Sequence, residues 1–147
     1  MIRVTEAQMA AARAYLGRYL VAKEERDRLA ERIVEARETR AVATYAAAVA
    51  HAGGTISDPV GQASQRAIQA EQEYADRAAE CLAIMHGICK AIDKLDYPTQ
   101  RQALEYAFIQ GLTNRQAAEK AGCTIQTHQN RKKAGIQAIA ENMAYMT

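Results

Sequence analysis

Hydrophobic positions recur at steps of three and four along most of this chain, the spacing that places side chains on one face of an α-helix. The first such segment opens with a capping-box spelling at Thr5 and Gln8 and meets no helix-breaking pattern before Gly53. The pattern predicts one helix of more than forty residues, a length typical of a coiled coil or a helical hairpin. Its seam is mostly small and aliphatic: Ala22, Arg26, Leu29, Ile33, Ala36, Arg40, Ala43, Ala47 and Ala50.

The periodicity lapses over residues 51–65, where glycines, one Pro and small polar residues predict a flexible connection. Either Asp58 with Pro59, or Ser64, is expected to begin the next helix, which extends to about Leu95. Its apolar face widens toward the C-terminal half and therefore requires more than one partner helix. The predicted seam is Ile68, Glu71, Ala75, Ala78, Leu82, Met85, Cys89 and Ile92.

The two long helices can pack antiparallel within one chain or pair with a second copy, and the pattern leaves both open. Pro98 ends the second helix, because it disfavours helical geometry in the residue before it. It also begins a third predicted helix that extends to about Gln110. Gly111 then suits the left-handed position that closes a helix.

Residues 111–133 predict two short helices joined by a tight turn. Thr113 and Gln116 repeat the capping-box spelling at the start of the first. Gly122 ends that helix, and Thr124 is placed to cap the second. Helix, tight turn and helix in this order are what a DNA-binding helix-turn-helix needs. The sequence thus predicts an all-α fold, with a long-helix pair over residues 1–95 and a small three-helix helix-turn-helix domain over residues 96–147.

Composition narrows the functional classes. Helix formers dominate, Trp is absent and Phe occurs once, so the core is expected to be built from small and aliphatic side chains. No apolar run approaches the ~20 residues of a membrane span, and the N-terminus lacks a signal-peptide pattern. We therefore expect a cytoplasmic protein without a membrane partner.

Candidate chemistry is sparse. Cys81, Cys89 and Cys123 have neither the spacing of a zinc site nor an even count for disulfides. No phosphate-binding Gly-rich loop, metal cluster or nucleophile–base arrangement is visible. We expect no catalytic residue, no metal and no cofactor, and an enzyme is the least favoured class.

Charge is distributed unevenly along the chain. The net formal charge is only +2. Residues 1–97 carry 13 Lys and Arg against 14 Asp and Glu, whereas residues 98–147 carry 6 against 3. The basic bias of the C-terminal part favours a polyanionic partner.

Three stretches carry a family resemblance. Residues 95–98 read Leu-Asp-Tyr-Pro, residues 104–113 read Leu-Glu-Tyr-Ala-Phe-Ile-Gln-Gly-Leu-Thr, and residues 117–124 read Ala-Ala-Glu-Lys-Ala-Gly-Cys-Thr. Together they resemble the C-terminal unit of small phage and prophage transcription regulators of the ArpU and RinA kind. The helix-turn-helix of those proteins is similar to the last DNA-binding region of sigma factors. The resemblance covers about the last fifty residues.

The chain departs from that family pattern at three positions. Ala117 stands where Ile or Val is usual, His128 where an apolar anchor of the recognition helix is expected, and Gly135 where Ala is common. These departures predict weaker packing of the recognition helix, and they leave open a shifted helix register or the loss of DNA binding.

The resemblance implies a division of labour among the motif residues. Thr113 and Arg115 would face phosphates at the start of the bracing helix. The helix starting near Thr124 would enter the major groove, and Thr124 itself belongs to the expected DNA-binding residues. Lys133 would contact the backbone. Side chains on the early turns of the helix that starts near Thr124 would contact base edges, namely Ile125, Gln126, Gln129 and Asn130.

The predicted function is a phage-derived, DNA-binding transcription regulator. Its partner would be double-stranded DNA, with the long helices supplying a homodimer contact or a contact with RNA polymerase. Two alternatives stay open on the sequence. One is a phage structural or assembly protein of the packaging type, and the other is a coiled-coil interaction module that does not bind DNA.

Overall fold

The computed structural model describes residues 3–52 and 58–145, and this part of the chain is helical without any β-strand. The predicted all-α class is confirmed. The described residues form α1 (Glu6–Ala52), α2 (Asp58–Asp93), α3 (Pro98–Leu104), α4 (Asn114–Ala121) and α5 (Ile125–Tyr145). The connection predicted at 51–65 is too long, because residues 51–52 belong to α1 and residues 58–65 belong to α2. Residues 53–57 lie outside the described residues. None of the described helices is both long and apolar enough to cross a membrane.

Helix α3 does not continue to Gln110 as a regular α-helix. Residues Glu105–Ile109 form a π-helical turn, in which the Gln110 N–H donates to the Glu105 carbonyl at 2.9 Å. The predicted extent of this helix is therefore correct, but its pitch changes in the second half. Gly111 ends it with φ +67°, and this left-handed conformation favours glycine.

Contacts divide the chain into two compact units. The first, here called the helix-turn-helix unit, comprises Met1–Ala22 and Ala83–Thr147, and the second, called the hairpin unit, comprises Lys23–Leu82. This grouping differs from the division predicted at residues 95 and 96. The reason is that both long helices contribute buried residues to the core beneath the C-terminal helices. This core consists of Ala12, Leu16, Ile88, Ile92, Leu95, Leu104, Ile136, Ile139 and Ala140.

In the hairpin unit, α1 and α2 pack antiparallel within one chain. The Arg37 Nε lies 2.9 Å from a carboxylate oxygen of Glu71, and Arg77 reaches Glu25 at 2.8 Å. Later residues of α1 thus pair with earlier residues of α2. The predicted α1 seam is confirmed at its buried positions, which in this unit are Leu29, Ala36 and Ala43.

The predicted α2 seam is wrong at two of its positions, whereas the seam residues between them, Glu71, Ala75 and Ala78, are half-buried. Ile68 and Leu82 are 42% and 48% exposed, whereas the preceding residues, Ala67 and Cys81, are buried. Small side chains at these two positions allow close approach of the α1 backbone, and the seam therefore follows small residues rather than the larger aliphatic ones. Toward the end of α2, in the helix-turn-helix unit, the predicted seam residues Met85 and Ile92 are buried.

Candidate nucleic-acid interface

Helix α4 begins with the reciprocal capping that its sequence predicts. The Thr113 Oγ1 accepts from the Gln116 backbone N–H at 3.2 Å. In return, the Gln116 Oε1 accepts from the Thr113 N–H at 3.0 Å. Two donors that the first turn would otherwise leave unpaired are satisfied in this way. The start of α4 is therefore set by local chemistry.

The turn between α4 and α5 also follows the prediction. Gly122 has φ +70°, and its N–H donates to the Glu119 carbonyl at 3.2 Å while the Cys123 N–H donates to the Ala118 carbonyl at 3.0 Å. This pair of bonds is a Schellman motif. Ala117 and Ala118 on the inner side of α4 are buried.

Thr124 caps α5. Its Oγ1 accepts from the Thr127 N–H at 3.1 Å and donates to the Thr127 Oγ1 at 2.8 Å. The cap predicted at Thr124 is confirmed. The Thr124 side chain therefore supports the start of α5.

The remaining candidates lie on the early turns of α5. Gln126, Gln129, Asn130 and Lys133 are all exposed, and their spacing places them along one helix face. Ile125, in the first helical position, is 45% exposed. The structure therefore brings the predicted base-contacting residues together on a polar surface with an apolar residue at its edge.

Helices α4 and α5 are joined by a contact that the sequence did not indicate. The Lys132 Nζ donates to the Asn114 Oδ1 at 2.9 Å, so the first turn of α4 lies beside the third turn of α5. Arg115 follows directly after Asn114, and Lys133 directly after Lys132. Asn114 and Lys132 are 18 positions apart, and no periodicity in the sequence connects them. Only the tertiary packing therefore identifies this contact.

The two motif helices and their turn are strongly biased toward positive charge. Residues 111–133 hold five Lys and Arg and one Glu. Lys120 is directed to the other side of α4, where its Nζ lies 5.0 Å from the Tyr106 ring centroid and 2.7 Å from the Gln110 Oε1. Arg115 is 81% exposed, and its 3.7 Å approach to Glu119 is a weak surface pair. Arg115 is thus an exposed cation in the first turn of α4, and Lys133 is an exposed cation on the polar face of α5.

All three departures from the family pattern are packing residues in this structure, including Ala117, which is buried on the inner side of α4. His128 is 1% exposed and Gly135 is buried. Burial lowers the pKa of His128, and the nearby Lys132 and Arg131 charges lower it further. Its Nε2 has no hydrogen-bond partner among the described residues. A neutral imidazole therefore occupies the position of the expected apolar anchor.

No group of three or more His, Cys, Asp or Glu residues that would hold a metal ion occurs in the described part of the chain. Comparisons with models of protein families, with curated proteins and with solved structures found no match to this chain.

Proposed function

We propose that this chain is a DNA-binding transcription regulator of the phage-derived kind that its C-terminal sequence resembles. In this proposal α5 enters the major groove of double-stranded DNA, while the start of α4 contacts the phosphate backbone. The observation that carries the proposal is the exposed face of α5. It joins amide side chains suited to base edges with Lys133, and the adjoining α4 start carries Arg115.

The amides and the cations contribute differently. Gln and Asn can each pair with the adenine edge, and Ile125 can contact a thymine methyl group. These contacts would give sequence preference. Arg115 and Lys133 would bind phosphates and give affinity that depends on salt but little on sequence.

The first prediction concerns the salt dependence of DNA binding. The wild-type chain is expected to bind double-stranded DNA with an affinity that falls as salt rises, because each phosphate contact releases counterions. Lys133→Ala should weaken binding to all sequences and reduce the slope of log K against log salt by about 1. Fluorescence anisotropy over a salt series measures both quantities.

Lys90→Ala is the matched control. Lys90 is an exposed lysine on α2, a helix that the proposal does not place on DNA, so its replacement should leave the slope of log K against log salt unchanged. Binding that is absent, or that does not change with salt, would contradict the proposal. The same result would favour an assembly protein or a coiled-coil module, and light scattering would then separate a large closed ring from a monomer or dimer.

A further inference from the structure

Two exposed amides of α5 are joined to each other. The Gln126 Nε2 donates to the Asn130 Oδ1 at 3.0 Å. The residues are one helical turn apart, on the face proposed to meet DNA. This contact defines an amide pair, Gln126 with Asn130, whose hydrogen-bonding capacity differs from that of two independent side chains.

The bond orients both amides. A side-chain amide offers a carbonyl oxygen that accepts and an NH₂ group that donates two hydrogens. Gln126 uses one hydrogen of its NH₂ group in the pair, and its Oε1 is left wholly unengaged as an acceptor. Asn130 uses one lone pair of its Oδ1, and both hydrogens of its Nδ2 are left as donors. The two groups that the pair leaves wholly unengaged are therefore an acceptor on Gln126 and a donor on Asn130.

This pattern complements one base in the major groove. Adenine presents an acceptor at N7 and a donor at N6, whereas guanine presents two acceptors, cytosine a donor, and thymine an acceptor with a methyl group. The Gln126 Oε1 would accept from N6, and the Asn130 Nδ2 would donate to N7. If Asn130 instead donated to Gln126, the two residues would exchange roles: Gln126 would donate to N7 and Asn130 would accept from N6.

We infer that Gln126 and Asn130 act as a single adenine-recognising unit, shared between two side chains. This inference rests on the proposed DNA-binding function and deepens it, because it specifies the base. Each residue contributes half of the contact and also holds the other in orientation. Removing either one should therefore abolish the adenine preference almost as completely as removing both.

The test selects bound duplexes from a random pool of double-stranded DNA with the full chain, and then repeats the selection with Gln126→Ala, Asn130→Ala and the double variant. The wild-type chain should enrich adenine at one position. Each single variant should lose about 5- to 150-fold of the preference for that adenine, and the double variant should lose no more than either single one. Replacing the adenine by 7-deazaadenine should weaken wild-type binding and leave the double variant unaffected.

The same helix offers a matched control. Gln137 is exposed, and its Nε2 contacts the Glu141 Oε1 at 3.4 Å. Like Gln126, it is a glutamine paired with a residue four positions later in α5. Gln137→Ala should leave the adenine preference intact. Circular dichroism establishes that each variant is folded.

The possible outcomes separate the two claims. Additive losses in the single variants, or binding without an adenine preference that depends on the amide pair, would overturn this inference while DNA binding stands. A wild-type chain that binds no duplex at any salt concentration would overturn the proposed function itself, and this inference with it.

Discussion

His128 shows how one buried side chain affects stability in this protein. The sequence departs from the family pattern there, and the departure predicted weak packing. In the structure the imidazole is almost completely buried and its Nε2 has no partner among the described residues. A buried polar atom without a hydrogen bond costs about 1–3 kcal/mol, so His128 packs into the core at a cost in stability.

This burial predicts a pH dependence of stability. Burial is the main reason that the pKa of His128 is lowered from 6.5. Above that pH the imidazole is neutral in both states. As pH falls below it, the unfolded chain binds a proton that the folded chain resists, so the free energy of unfolding decreases. Urea unfolding between about pH 8 and pH 5 should show a falling midpoint.

The variant His128→Leu tests whether His128 causes this pH dependence. It should be more stable than wild type by about 1 kcal/mol at neutral pH, and its midpoint should depend less on pH. An equal pH dependence in the two proteins would contradict the assignment. Glu71 does not confound this window, because its hydrogen bond with Arg37 lowers the pKa of that carboxyl from 4.5. The stability that Glu71 contributes is lost only at more acidic pH.

At the scale of the helices, close approach of α3 and α5 depends on Gly135. A Cβ added at this position would lie 2.9 Å from the Leu104 Cγ and 3.0 Å from its Cδ1. Leu104 is fully buried, and its branch point cannot move without shifting a helix. The glycine that departs from the family pattern is therefore required by this packing.

Gly135→Ala should consequently destabilise the chain by about 1 kcal/mol. Overpacking costs about 1–3 kcal/mol, and the better helix propensity of Ala offsets up to about 1 kcal/mol of that. Gly17→Ala is the control, because nothing lies within 4 Å of a Cβ added there. It should stabilise the chain by about 0.5–1 kcal/mol. Denaturant unfolding measures both, and stabilisation of similar size in the two variants would contradict the packing argument.

At the scale of the whole molecule, the helix-turn-helix unit depends on segments far apart in the sequence. Leu16 of α1 and Ile88 of α2 are both 0% exposed and share a core cluster with Ile136. A fragment comprising residues 96–147 would lack Leu16 and Ile88. The core under α5 would then be open to water on one side.

We therefore expect the fragment of residues 96–147 to unfold without a cooperative transition. In the full chain, Leu16→Ala should cost about 2–5 kcal/mol, whereas Val21→Ala, at a position 69% exposed, should change stability by less than about 0.5 kcal/mol. Circular dichroism during urea titration measures these effects. A fragment that unfolds as cooperatively as the full chain would show that residues 96–147 form an independent domain.

The sequence by itself determined the features that depend on neighbouring residues. The helix starts at Thr5, Thr113 and Thr124 were predicted and confirmed. So were the left-handed position at Gly111 and the helix end at Gly122. Capping and helix ends involve residues only a few positions apart. The all-α class followed from the same helical periodicity.

Only the tertiary structure decided the features that depend on which helices meet. Ala67 and Cys81 are buried while Ile68 and Leu82 are exposed, because small side chains allow the closer approach of α1. The contact between Asn114 and Lys132, and the core beneath α5 that includes Leu16, join residues whose separation leaves no periodic signal. Burial and contact across such distances arise when the whole chain packs.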